Sequence, residues 1–174
     1  MSFEAGQTAI IVAVPEAGHL VDRWRQLYDS SAPLGVPAHV TILYPFLEIG
    51  RIDESVVEQL RQLFARQPAV QVKFHRCGRF PDVLYLEPEP ADTFKSLTAS
   101  IVEHWPEAPP YGGAHDEVVP HLTVAGGIDE ETLALIEGDV AARLPVQAAV
   151  TEARLIAFDG SQWATRTRFP FARR

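Results

Sequence analysis

The stretches PAHVTILYPF, residues 37–46, and PHLTVAGG, residues 120–127, repeat one phrase: His, an apolar residue, Thr, and a second apolar residue. They read His39-Val40-Thr41-Ile42 and His121-Leu122-Thr123-Val124, about half a chain apart. On a β-strand, residues i and i+2 point the same way, roughly 6.6 Å apart. His39 and Thr41 therefore share one face with Val40 and Ile42 behind them, and His121 and Thr123 stand likewise over Leu122 and Val124. Six His and nine Thr in 174 residues give roughly 0.3 chance occurrences of His-x-Thr. Requiring both apolar positions lowers that by about a further factor of twenty.

Outward from these phrases the chain alternates strands and helices. Thr8 to Val14 is an apolar, β-branched run that predicts a buried strand stopped at Pro15. Residues 18–30 place Leu20, Val21, Trp24, Leu27 and Tyr28 at helical spacing. Residues 30–38 form a loop into the first His strand, which Pro45 breaks. Ile52-Asp53-Glu54 opens a second helix with Val56, Val57, Leu60, Leu63 and Phe64 on one face. Residues 69–80 and 82–88 predict strands joined by a hairpin centred on Pro81-Asp82. A third helix runs from Ala91 to about Trp105 over Phe94, Leu97, Ile101 and Val102. Residues 106–120, rich in proline and carrying Gly112-Gly113, break all periodicity and predict the longest loop. Residues 129–144 predict a helix opened by acids, which suit its N-terminus. Residues 146–160 and 162–171 predict closing strands with a hairpin at Gly160. The order is strand, helix, His strand, helix, two strands, then helix, His strand, helix, two strands. Two similar α+β lobes facing one another account for this, where two copies would make no solenoid.

A hydrophobic fraction of 47% supports a packed core. The formal charge of −8 argues against a protein that wraps extended nucleic acid, while a small nucleotide or an RNA tip stays compatible. No apolar run approaches the roughly 20 residues of a membrane span, and Met1-Ser2-Phe3-Glu4 does not begin like a signal peptide. The single cysteine, Cys77, rules out an internal disulfide and is too little for a structural zinc site. These features lead to the expectation of a cytoplasmic protein without cofactor, metal or membrane partner. The oligomeric state stays open, with a monomer the simplest expectation.

Two imidazoles of ordinary pKa near 6.5 can hold opposite protonation states at neutral pH. One can accept a proton from a nucleophile while the other gives one to a leaving oxygen. A hydroxyl two residues away can donate to an anionic oxygen as charge builds. Such pairs on either side of a phosphorus atom support in-line displacement, for which a cyclic phosphodiester is well suited. Tyr44, Phe46 and Tyr111 are candidates to stack a base, although a regular strand puts Tyr44 on the opposite face from His39. His115 and Asp116 match no standard metal spacing, and His19, His75 and His104 read as structural or exposed.

With its paired motifs in PAHVTILYPF and YGGAHDEVVPHLTVA, the chain resembles the 2H phosphoesterase superfamily, in particular its small bacterial 2′-5′ RNA ligase-like branch, over essentially its whole length. The resemblance implies an α+β fold of two pseudo-symmetric lobes, each an antiparallel sheet with flanking helices, in a single bilobal domain over residues 1–174 with a catalytic cleft between the lobes. It implies that His39 and His121 are the acid–base pair and that Thr41 and Thr123 hold phosphate oxygens. Which imidazole is the acid depends on whether the 2′ or the 3′ oxygen leaves; the lean is to His39 as acid and His121 as base. Expected substrates are a 2′,3′-cyclic nucleotide, ADP-ribose cyclic phosphate, an RNA 2′,3′-cyclic end or a 2′-5′ linkage. RNA-end processing, or a nucleotide-binding module without turnover, are the alternatives. Better-known members carry an arginine shortly after the second motif, where this chain reads Val124-Ala125-Gly126-Gly127. Arg166, Arg168 and Arg79 are the candidates to replace it, and Arg168 and Tyr111 join the expected substrate-binding set.

Overall fold

In a computed structural model describing residues 2–173, the N-terminal apolar run becomes β1 (Thr8–Ala13), buried along nearly its whole length. The elements that follow are α1 (Gly18–Tyr28), β2 (His39–Leu43), α2 (Glu54–Ala65), β3 (Val70–Phe80) and β4 (Val83–Glu89). Then come α3 (Asp92–His104), β5 (Leu122–Gly126), α4 (Glu130–Ala141), β6 (Val146–Val150), β7 (Glu152–Phe158) and β8 (Trp163–Pro170). Asp53 and Asp129 cap α2 and α4, their carboxylates accepting from the amides of Val56 at 3.0 Å and Thr132 at 2.9 Å. The hairpin at residues 81–82 holds Asp82 at a φ of 53°, a left-handed turn conformation that Asp tolerates.

The helical stripe of α1 departs from expectation. Its buried residues are Leu20, Val21 and Arg25, whereas Leu27 is 67% exposed. Arg25 is buried because the following loop returns over it: Asp29 accepts from its Nε at 3.0 Å and the Val36 carbonyl from Nη2 at 3.1 Å. A charge survives burial only with such partners.

The strands form two antiparallel four-stranded sheets, ordered β2-β1-β7-β8 and β5-β4-β3-β6. Each sheet has its motif strand at an edge. The lobes are therefore not halves of the sequence, since β7 and β8 return to the sheet of β1 and β2. Residues 146–160, expected as one strand, divide at Thr151 into β6 and β7, which belong to different sheets. Burial of Val146, Ala148 and Val150 changes phase to Ala153 and Leu155 across that residue, and a period-2 strand cannot keep both sets inward.

α1 packs against β5 and α3 against β2, so each motif strand is backed by a helix that precedes it in the chain or follows it from the other lobe. One contiguous apolar core runs beneath both sheets. A smaller cluster of Ala9, Ile11, Val36, Ile156, Phe158 and Trp163 covers the other face of the first sheet.

Candidate active site

Both motif strands are irregular at the same place. Ile10 pairs with Leu43 and Ile11 with Thr41, which leaves Ile42 as an extra residue in β2. Leu84 pairs with Ala125 and Tyr85 with Thr123, which leaves Val124 extra in β5. The last apolar residue of each phrase is thus a bulge, and a bulge shifts the facing of everything after it. Ile42 and Leu43 are both buried, as are Val124 and Ala125. Tyr44 and Gly126, each five residues after its histidine, consequently join the histidine face. This corrects the expectation that Tyr44 faces away from His39. Thr98 of α3 donates its hydroxyl to the carbonyl of the bulged Ile42 at 2.7 Å.

The two imidazoles are seated alike. His39 Nδ1 lies 2.8 Å from the Pro37 carbonyl and His121 Nδ1 lies 2.7 Å from the Val119 carbonyl. A carbonyl only accepts, so Nδ1 carries the proton in each ring and Nε2 is left for the cavity. His121 is also flanked edge-on by Phe80 and Tyr85, at ring-centroid distances of 5.1 and 5.4 Å. Tyr85 in turn lies over Gly78, its cross-strand partner, so closely that a Cβ there would fall 2.4 Å from the ring.

His39, Thr41, His121 and Thr123 line one cavity of about 520 Å³ between the sheets. Among the described residues neither Thr41 nor Thr123 spends its hydroxyl on a protein partner, whereas the buried Thr8 and Thr98 bond the carbonyls of Leu47 and Ile42. One wall is aromatic: Phe3, Tyr44 and Trp163 stand edge-to-face with centroids 5.3–6.3 Å apart. Trp163 is buried, and its indole N–H has no acceptor among the described residues. Burial, reinforced by the Arg25 guanidinium, brings His39 down to about 4. Burial also lowers His121, which has no such cation acting on it. The ring held most firmly neutral is therefore His39, against the sequence-based lean that made it the acid.

Tyr111 lines the cavity, with a φ of 52° and its amide donating to the Tyr44 carbonyl at 2.6 Å. The arginines do not. Arg168 shares a row and a face with Arg154, Ile11 and Thr41 but lies three strands from Thr41. It is 2.6 Å from Glu152, which also holds Arg154 at 2.9 Å. Arg166 is exposed and lines no part of the cavity. Arg79 is held by Glu137 and Glu130 of α4. The α4 N-terminus is closed by its own Asp129. His115 stacks edge-on against Tyr111, and no three His, Cys, Asp or Glu among the described residues converge as metal ligands. Sequence reasoning missed Arg25, Asp29, Phe3, Asp82 and Trp163. Only Arg25 left a trace, as a charge one position from the apolar stripe of its helix.

Two imidazole–hydroxyl pairs, presented by the edge strands of two matching sheets to one cavity, define the class of the 2H phosphoesterases. The model of the 2′-5′ RNA ligase superfamily matches residues 13–162, and the chain belongs to that family. A Staphylococcus aureus protein named "Putative phosphoesterase" is 31% identical over 159 residues, covering 87% of this chain and 90% of its own. The fold is shared with E. coli LigT complexed with 3′-AMP, at a TM-score of 0.62 and 16% identity over 97% of this chain and 99% of LigT. LigT complexed with NADP+ gives a TM-score of 0.58 at 18% identity over 98% and 99%. TT0787 of Thermus thermophilus gives 0.55 at 18% over 94% and 97%.

Proposed function

We propose that this phosphoesterase opens a cyclic phosphodiester of a small nucleotide by acid–base catalysis between His39 and His121. The observation that carries the reading is the matched pair of imidazoles, each with Nδ1 on a backbone carbonyl and Nε2 left for one shared cavity. His39, the more strongly neutral ring, takes a proton from a water that attacks phosphorus. His121, in its protonated form, gives a proton to the ribose oxygen as its bond to phosphorus breaks. Water is consumed and a phosphomonoester is made. Thr41 and Thr123 donate to the non-bridging oxygens as charge accumulates there. Tyr44, Trp163 and Tyr111 offer a wall for the nucleoside, and a base acceptor would satisfy the Trp163 N–H. The 3′-AMP and NADP+ complexes of LigT are consistent with a small nucleotide ligand.

The test is turnover of 2′,3′-cyclic nucleotides and ADP-ribose cyclic phosphate in the presence of chelator. His39→Ala and His121→Ala are each expected to lower kcat by about 10²- to 10⁴-fold. Full activity in either variant would remove the assignment. A 2′-5′-linked dinucleotide assayed alongside decides whether that linkage is a second substrate.

A further inference from the structure

We infer that the cavity favours a singly charged phosphodiester and rejects the doubly charged monoester formed from it, so that hydrolysis itself drives product release. The inference rests on the phosphoesterase reading above. Its basis is the sign of the charges around the site. Among the described residues lining the cavity there is no Lys or Arg, and the charged ones apart from the histidines are Asp29 and Asp82. Arg25 lies behind the wall with its Nε on Asp29 and Nη2 on the Val36 carbonyl, so Asp29 offsets this cation in part and no group of Arg25 is free to reach a phosphate. Arg79 is held by Glu130 and Glu137, and Arg154 and Arg168 share Glu152. Asp82, exposed at its hairpin, has no cation paired with it among the described residues. Burial disposes both imidazoles to the neutral form above pH 6.5, and the one proton that turnover needs is carried transiently, by His121 before the step and His39 after it, so neither adds a fixed positive charge.

A cyclic phosphodiester carries one negative charge. Adding water across one P–O bond, with one proton taken by His39 and one given by His121, first yields a monoanionic monoester, whose second ionisation lies near pH 6, so above that pH the bound group gains a charge where it stands. The Thr41 and Thr123 hydroxyls can donate to a monoanion, but they and imidazoles whose neutral Nε2 only accepts supply little to offset the second charge against Asp82. The same geometry marks where a cation would change this. Gly126 reaches the cavity face because Val124 is bulged. Its backbone is not left-handed, and a Cβ there would lie 3.4 Å from Val83 Cγ2 and 3.7 Å from the Asp82 carbonyl, which a side chain tolerates.

The experiment compares two inhibitors of 2′,3′-cyclic AMP turnover at pH 7, above the second ionisation near 6 and closer to the acidic optimum: 3′-AMP, mostly a dianion, and its singly charged 3′-methyl ester. The nucleoside is common to both, so the ratio of inhibition constants isolates the charge. The wild-type protein is expected to bind the methyl ester at least tenfold more tightly. Gly126→Arg is expected to tighten 3′-AMP at least tenfold and remove the preference, while Gly126→Ala leaves the ratio where it is. Asp82→Asn, which the left-handed turn accommodates, should tighten 3′-AMP roughly threefold, the scale of one exposed charge several ångströms away. Equal affinity of the two inhibitors in the wild-type protein, or a 3′-AMP constant indifferent to both Gly126→Arg and Asp82→Asn, overturns the inference and leaves the phosphoesterase reading intact. Absence of turnover on every cyclic phosphodiester would instead defeat the reading beneath it.

Discussion

His39 and His121 have the same backbone anchor and different electrostatic surroundings, and their titration should reveal it. In the free enzyme the proposed reaction needs one ring neutral and the other protonated, so kcat/KM depends on both. It is expected to rise with pH as His39 deprotonates near 4 and to fall as His121 loses its proton below 6.5, giving an acidic optimum. An optimum well above pH 6.5 would contradict the environments described for the two rings. Arg25 supplies a second check. Its side chain is 2% exposed and that of its partner Asp29 10%. Arg25→Met removes a cation that disfavours His39 protonation and leaves Asp29 unpaired, and both changes raise the His39 pKa. The acid limb should move up, narrowing the bell, at a stability cost of about 3 kcal/mol. Chemical shifts of the His39 ring protons across pH report the shift directly.

At the scale of the element, the site depends on paired bulges and on one glycine. Thr98 bonds the carbonyl of bulged Ile42 from inside the core. Thr98→Val keeps the volume and removes the donor, with an expected loss of about 1–2 kcal/mol read from the denaturant midpoint. An unchanged midpoint would mean that the bulge keeps itself. In the second lobe, Gly78 lets the Tyr85 ring lie flat across β3 and press on His121. Gly78→Ala displaces that ring, and a shift of about an ångström in an imidazole can cost on the order of 100-fold in rate. kcat/KM is therefore expected to fall by roughly 10- to 100-fold at temperatures where the variant remains folded.

At the scale of the whole molecule, the two halves of the site come from different sheets that share one core. α1 and α3 each back a motif strand, and β2 and β5 lie edge to edge. The two histidines are proposed to serve one phosphorus atom. His39→Ala combined with His121→Ala should then be little worse than either single variant, because groups acting as a unit are not additive. Multiplying losses would mean that the rings act at separate steps or separate places.

The sequence alone determined the element order, the duplicated motif and the alternation that places each histidine and threonine together. Those features are local: periods of 2 and 3.6, proline stops and turn residues act over a few positions. Tertiary structure alone decided that β7 and β8 return to the first sheet, that Tyr44 turns into the cavity and that Arg168 is spent on Glu152 rather than a phosphate. Strand partners, bulges and ion pairs depend on residues distant in the chain, and a one-residue slip in register moves every later side chain to the other face. The burial of Arg25 is of the same kind. The helical pattern sets this charge beside the apolar stripe, and only the returning loop supplies the partners that make it part of the wall behind His39.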